Sequence, residues 1–554
     1  MQQRMPVGIE DFKEIRSGYY YVDKTPLIKE LLDHHTKAVL ITRPRRFGKT
    51  LAMSMLSNFF SIEEKASASL FDGLFISKPG NEKYMEEQGK HPVIFLTMKS
   101  AQNNRWEMLL ISFKRLIARE YDKHSYLLKA DTLTDTEKKY YQKILDMTAS
   151  VEDYQISISY LTWFLYKYYN KKPIVLIDEY DAPLQCAYDY GFYDEAISYF
   201  KVFYNETLKT NLYLDFAILT GVLRIAKESI FSGLNNLEVD SVISGRYMDA
   251  FGFTLDEVNS ICKAFHCESN LEQLKFWYDG YHFGSKEIYN PWSVTNFINN
   301  DSSAKPYWVN TSGNSILKFL LSNVDTEKIK TLQRLLNGET VGVTVNESVI
   351  YDDIQKDKSA LFTMLLTTGY LTIDSSVPNT YNRFNLRIPN QEIRELFKTE
   401  ILNHLLIGTK QNDFDDMFSA LFSGDAEFFN TSLENIIQKS ASTFDTANKE
   451  CFYHGFMLGM SIPFQDRGYI VKSNREGGLG RFDLAIIPKD PTKTAVLMEF
   501  KYAESKDGLS VAAKHAIEQI HTMQYEKELE SLGVSRILSY GVAFYGKHVC
   551  VVAK

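Results

Sequence analysis

Apolar residues in the first half of the chain gather into short runs rich in β-branched side chains, at 38–42 (AVLIT), 92–97 (PVIFLT), 174–178 (IVLID) and 214–220 (LDFAILT). Each run is nearly continuous rather than alternating, as in strands buried on both faces of a parallel sheet. Between them lie stretches with helical spacing, such as 50–60 and 106–121. Strand and helix in alternation predict an α/β domain around a central parallel sheet, over residues 1–252.

From about residue 253 to about 430 the pattern is largely helical. A turn-rich aromatic segment, FWYDGYHFGSKEIYNP at 276–291, interrupts it. Around 359–400, SALFTMLLTTG reads as a helix, GYLTI and YNRFNLRI as strands, and another helix begins near Pro389. Helix, hairpin, helix is the order of a winged-helix module, and a helical connector with one hairpin gives the same pattern. Residues 253–431 are therefore expected to form a helical lid and connector, with a winged helix as one form of it. The last segment, 432–554, is helical at first, with a helix at 450–460. Strand-like runs follow at 469–473, 482–487, 495–500 and 539–544, and a helix falls around 511–529. About three domains also suit a chain of 554 residues. The expected fold class is thus multidomain α/β, without internal repeats or low-complexity tracts.

Charge changes this picture only locally. The net charge of −8 makes the chain as a whole a poor attractor of nucleic acid. Residues 466–554, however, carry 13 Lys and Arg against 11 Asp and Glu, a net +2, which permits contact with DNA or RNA. The five cysteines are scattered and form no CxxC pair, which argues against a zinc site or a disulfide framework and suits a reducing cytosol. MQQRMPVGIEDF has no apolar signal core, and no run of about 18 apolar residues occurs. A cytoplasmic protein without a membrane span is expected.

Chemistry is concentrated at two places. After AVLIT comes Arg43-Pro44-Arg45-Arg46-Phe47-Gly48-Lys49-Thr50, followed by a helix. A phosphate-binding loop needs inward N–H groups at a helix N-terminus, a lysine for the outer phosphates and a hydroxyl for Mg2+. Gly48, Lys49 and Thr50 supply the end of that pattern, and Arg46 lies beside them. Arg43 stands where the first glycine of GxxxxGK[ST] is usual. The arginines at 43, 45 and 46 either crowd the phosphates or face solvent. The run PIVLIDEYD ends in Asp178, suited to a Mg2+ shell, and Glu179, suited to orienting a water. DFAILT ends in Thr220, and Arg224 follows; both are candidates to sense the γ-phosphate. The expected ligands here are ATP and Mg2+.

The second place is FDLAII at 482–487 and MEFK at 498–501. Side chains alternate along a strand, so Glu499 and Lys501 share a face, and Asp483 on a neighbouring strand can meet them. Two carboxylates so placed bind a divalent cation through oxygen. The strand VLMEF is otherwise apolar, which makes an inward Glu and Lys costly without a role. Glycines in GGLGR, at 477–481, allow close backbone approach of a substrate. Upstream, Glu450 is either a third acid or a solvated helix-end residue. His454 reads as a packed helix histidine or a ligand. Gln519 on the following helix is placed for metal, lysine or substrate, or for packing alone.

RPRRFGKT, LIDEYD, TGVLRI, FWYDGYHFG with YNPW, GRFDLAI and EFK, in that order, resemble bacterial AAA-ATPase-like proteins with a C-terminal PD-(D/E)xK nuclease-superfamily domain. The resemblance spans nearly the whole chain. It implies a P-loop ATPase of the AAA/STAND-like kind at the N-terminus and a restriction-endonuclease-like fold at the C-terminus. It matches Lys49 and Thr50 to the phosphate loop and Asp178 and Glu179 to the acidic strand end. Asp483, Glu499 and Lys501 match the nuclease signature, and Glu450 matches an acid on that fold's first helix. The expected function is an ATP-regulated, Mg2+-dependent nuclease acting on nucleic acid, with DNA the first expectation and RNA the second. Homo-oligomerisation or a protein partner is compatible with it. The rival is an ATP-dependent switch whose nuclease-like domain only binds. A ring ATPase acting on protein is a third reading, for which no pore-loop signature is present.

Overall fold

The apolar runs of the first half form the strands β1 (Ala38–Thr42), β2 (Val93–Thr97), β3 (Ile174–Asp178) and β4 (Ala217–Gly221). A fifth strand, β5 (Leu237–Asp240), was not evident from the sequence, because LEVD is short and half polar. They make one parallel sheet in the order β2-β3-β4-β1-β5. β1 and β3 are buried along their whole length, as their unbroken apolar runs require. In this computed structural model, residues 4–34, 36–209, 211–225, 237–308, 331–332, 334–347, 358–376, 380, 382–405, 411–440, 449–465, 467–477 and 480–554 are described. The chain divides into two compact units: Met1–Thr311 with Gly342–Ile393, and Ser312–Val341 with Arg394–Lys554.

The first unit also holds the helices Leu255–Phe265, Leu271–Tyr278 and Pro291–Asn299. The aromatic segment between the last two closes into a hairpin of β6 (Tyr281–Phe283) and β7 (Lys286–Ile288). Further along come the helix Lys358–Thr367 and the pair β9 (Thr372–Ile373) and β10 (Arg383–Arg387), then the helix Gln391–Leu405, whose residues from Arg394 on belong to the second unit. The expected helix, hairpin, helix order is present. It has gained a third strand, β8 (Val341–Thr344), in a sheet of order β8-β10-β9.

The second unit is built on a mixed sheet, β11 (Tyr469–Gly477), β12 (Gly480–Pro488), β13 (Ala495–Tyr502), β14 (Ile537–Tyr545) and β15 (His548–Ala553), in that spatial order. Only β13 and β14 pair in parallel. A parallel pair needs a crossover, which the helices Leu509–Thr522 and Glu526–Ser531 provide. The single helix expected at 511–529 is broken because Gln524 takes a left-handed φ of 54°. Phe482, Ala485, Ile487 and Leu497 from the strands pack against Ile517, Ile520 and Leu529 from these helices. Among the described residues, no helix is long and apolar enough to cross a membrane.

Candidate functional site

In the sheet of the first unit, β4 lies between β3 and β1, so the segments that follow these three strands share one edge. This brings together Lys49 and Thr50, Asp178 and Glu179, and Thr220. Gly48 opens the helix Lys49–Phe60 with φ 85°, a left-handed conformation that favours glycine. Thr50 donates its hydroxyl to Asp178 Oδ2 at 2.7 Å, and Thr220 donates to Asp178 Oδ1 at 2.5 Å. Both oxygens of the buried Asp178 are therefore held in place. The Lys49 ammonium donates to the carbonyls of Arg43 and Pro44 at 2.9 and 2.8 Å. Burial lowers its pKa to about 8, against the attraction of Glu179, Asp178 and Asp181. Glu179 is half-buried and held at φ 51°, a strained conformation for a non-glycine residue. Burial, and then the neighbouring Asp178, raise its pKa. Arg224 sits half-buried on the segment after β4.

Arg43 neither crowds this edge nor faces solvent. It is fully buried and pairs with Asp240 of β5 at 2.6 Å. It also donates to the carbonyls of Thr42 and Tyr247 and lies over the Phe283 ring at 4.9 Å. Arg45 donates to Gln185 at 2.9 Å, and Arg46 stands over the Trp292 ring at 4.3 Å. Asp181 is a functional candidate that the sequence reading quoted but gave no role. It is buried and accepts the N–H groups of Val222 and Leu223 at 2.9 Å, fixing the segment after β4. Its signal was the last letter of DEYD.

In the second unit, β12 and β13 pair through Leu484 and Met498. One step further, the Asp483 carboxylate accepts the N–H of Phe500 at 2.8 Å. Glu499 is only 3% exposed, and Lys501 Nζ lies 3.7 Å from its Oε1. Gln519 of the helix Leu509–Thr522 donates to the same oxygen at 2.5 Å. Among the described residues, Glu499 Oε2 is buried with no hydrogen-bond partner. Burial, and then the Asp483 charge, push the Glu499 carboxyl far above the carboxylate range, against the pull of Lys501. His454 Nε2 bonds Ser473 Oγ at 2.7 Å, and its Nδ1 is 3.8 Å from Asp483 Oδ1.

The helix can come this close because Gly541 of β14, in register with Glu499, has no side chain. A Cβ there would meet Ala513 O at 2.2 Å and Ile517 N at 2.6 Å. Its signal was a glycine inside the strand run LSYGVAFY. Glu450 belongs to the helix Lys449–Ser461, but its side chain lies outside the described residues. So do residues 478–479 of the glycine-rich segment. Among the described residues, no three His, Cys, Asp or Glu side chains gather as a metal-binding group. The fit of a cation to the pair rests on the orphaned oxygen of Glu499. A divalent ion beside Asp483 would give that buried atom a partner and remove the repulsion between two carboxylates.

Residues 6–231 match the family model described as Predicted AAA-ATPase, and residues 448–554 match that of the PD-(D/E)XK nuclease superfamily. The chain is also similar to an uncharacterized protein in the vnfD 5′ region of Azotobacter chroococcum mcd 1. The two are 24% identical over 544 residues, which cover 96% of this chain and 95% of that protein.

Proposed function

From an AAA-ATPase-like domain followed by a PD-(D/E)XK nuclease-superfamily domain, we propose an ATP-controlled, Mg2+-dependent nuclease acting on DNA or RNA. One observation carries the nuclease half: the buried oxygen of Glu499, without a partner among the described residues, beside Asp483 and Lys501. Asp483 and Glu499 would hold the cation, with Glu450 as a third acid. A divalent cation supplies Lewis acidity toward a phosphodiester and its water nucleophile. Lys501, more open than Glu499, would orient the water or stabilise charge on the leaving group. Gln519 fixes the rotamer of Glu499.

In the first unit, Gly48, Lys49 and Arg46 would face the phosphates of ATP, and Thr50 and Asp178 its Mg2+. Glu179 would orient a water, while Thr220 and Arg224 would read the terminal phosphate. Lys49 would then exchange two loop carbonyls for phosphate oxygens, so binding remakes the loop's own hydrogen bonds.

The test is cleavage of single- and double-stranded DNA and RNA, with Mg2+ or Mn2+, with and without ATP. Wild type is expected to cut at least one substrate. Lys501→Ala is expected to lower the rate about 100-fold or more, and Lys49→Ala to remove the ATP effect. Binding of ATP without cleavage of any substrate would sink the nuclease half. A second reading, an ATP-dependent switch whose nuclease-like domain only binds, draws on the lack of a three-acid group among the described residues. It expects Glu499→Ala to be silent and Lys49→Ala to change oligomeric state or partner binding.

A further inference from the structure

Five consecutive residues of the nucleotide loop, 43–47, rest on a body of aromatic residues and Gly369. Arg43 lies over Phe283, and Phe47 packs against Tyr281 and Phe283 at 5.1 and 5.2 Å. Arg46 lies over Trp292. Pro44 sits so close to Gly369 that a Cβ there would be 2.9 Å from the proline ring. The Arg45 carbonyl accepts the indole N–H of Trp308 at 3.4 Å. Tyr281, Phe283 and Trp292 of FWYDGYHFG with YNPW, together with Trp308 and Gly369, thus form the bed of the loop. This accounts for an arginine at position 43, where the first glycine of the loop pattern is usual.

Behind that bed stands Glu392, fully buried. One of its oxygens accepts the backbone N–H of Trp308 at 2.7 Å, and the other accepts the Ser293 hydroxyl at 2.7 Å. Ser293 follows Trp292, the residue beneath Arg46. The Trp308 ring also meets Tyr370, the neighbour of Gly369, edge-on at 5.2 Å. A buried carboxylate is costly, and burial pushes this one up to about 7. Position in the chain gives the group further meaning. Trp308 lies three residues before Thr311, and Glu392 one residue before Ile393, and at these two residues the chain leaves the first unit.

We infer that Glu392 and Trp308 are a positioning pair for the nucleotide loop, and that through them its occupancy reaches the two points where the chain leaves the first unit. This rests on the reading that ATP binds at Lys49 and Thr50. The experiment uses the full chain. It measures the affinity for a fluorescent ATP analogue with Mg2+, the melting temperature, and the ATP-induced change in amide hydrogen exchange of residues 391–405.

Trp308→Phe keeps an aromatic ring and loses the indole donor together with part of the buried ring's volume. It is expected to weaken binding about three- to tenfold and to remove the exchange response, with a lower melting temperature from the lost ring volume. Glu392→Ala is expected to do at least as much. Glu392→Gln, which keeps an acceptor for the Trp308 N–H, should restore most of both. If wild type binds and Lys49→Ala does not, unchanged affinity and exchange response in Trp308→Phe overturn the pair alone. If wild type does not bind, or Lys49→Ala binds as well, the nucleotide reading falls and the pair with it. Should Glu392→Ala fail to fold, Trp308→Phe decides.

Discussion

The two candidate sites treat buried charge in opposite ways. At the nucleotide edge, Asp178 holds two hydroxyls, Lys49 two carbonyls and Asp181 two backbone amides, while in the Arg43–Asp240 pair Arg43 Nε and Asp240 Oδ1 are left without a hydrogen-bond partner among the described residues. At β12 and β13, one oxygen of a buried glutamate has no hydrogen-bond partner among the described residues. A satisfied set of charges is stable by itself, and a ligand must exchange partners to enter. A carboxylate pair with an orphaned oxygen gains from a cation directly, because its repulsion and desolvation are both relieved. The first arrangement suits a site that reports on binding through its own rearrangement, the second a site that a metal completes.

The largest expected effect tests the first half of that contrast. Arg43→Gly would restore the usual glycine of the loop pattern, yet it strands Asp240 inside the protein. Breaking a buried ion pair by removing one partner costs about 3–5 kcal/mol, and the ring contact with Phe283 is lost as well. Denaturant unfolding should register a loss of that size, with no gain in ATP affinity. A fall below about 1 kcal/mol would mean that the loop does not depend on its arginine.

The second half is tested by pH. The Glu499 carboxyl is raised from 4.5 to about 8 in the folded chain. A raised acid contributes stability that is fully present below its unfolded value and lost as pH rises through the folded one. Glu499→Gln, which carries no charge to bury, should therefore match wild type near pH 4.5 and exceed it increasingly up to about pH 8. With chelator present the gain should reach on the order of 4 kcal/mol near pH 8. Added Mg2+ should close the gap by stabilising wild type alone. Parallel stability curves for the two proteins, with no effect of Mg2+, would remove the distinction between the sites.

The parts of this architecture that were legible in the sequence are those carried by strongly periodic or unbroken apolar runs. AVLIT, IVLID and LDFAILT declared the parallel sheet, and FDLAII with VLMEF declared the core of the second. Glu499 was visible as a carboxylate in an apolar strand. What could not be read depended on partners distant in the chain. Arg43 is ambiguous until Asp240 is known to lie on a neighbouring strand, and LEVD is too short and polar to announce that strand. Glu392 is one acid among many in a helix, and only its burial against Ser293 and Trp308 distinguishes it. Gly541 looks like a weak point in a strand until a helix backbone is found against it.

The smallest expected effect concerns Glu179, where the two sites differ in backbone rather than charge. Its φ of 51° is a conformation that costs an L-residue about 1–2 kcal/mol, and glycine adopts it freely. Glu179→Gln removes the charge and keeps the strain, whereas Glu179→Gly removes both. The Gly variant should therefore be more stable than the Gln variant by about 1 kcal/mol, the relief being partly offset by glycine's greater entropy in the unfolded chain. Both should lose ATP turnover and retain ATP binding through Lys49 and Thr50. That outcome, read by denaturation and by phosphate release, would show that the first unit keeps a strained residue for chemistry rather than for folding. Equal stabilities would place the strain elsewhere and leave Glu179 an ordinary strand-end acid.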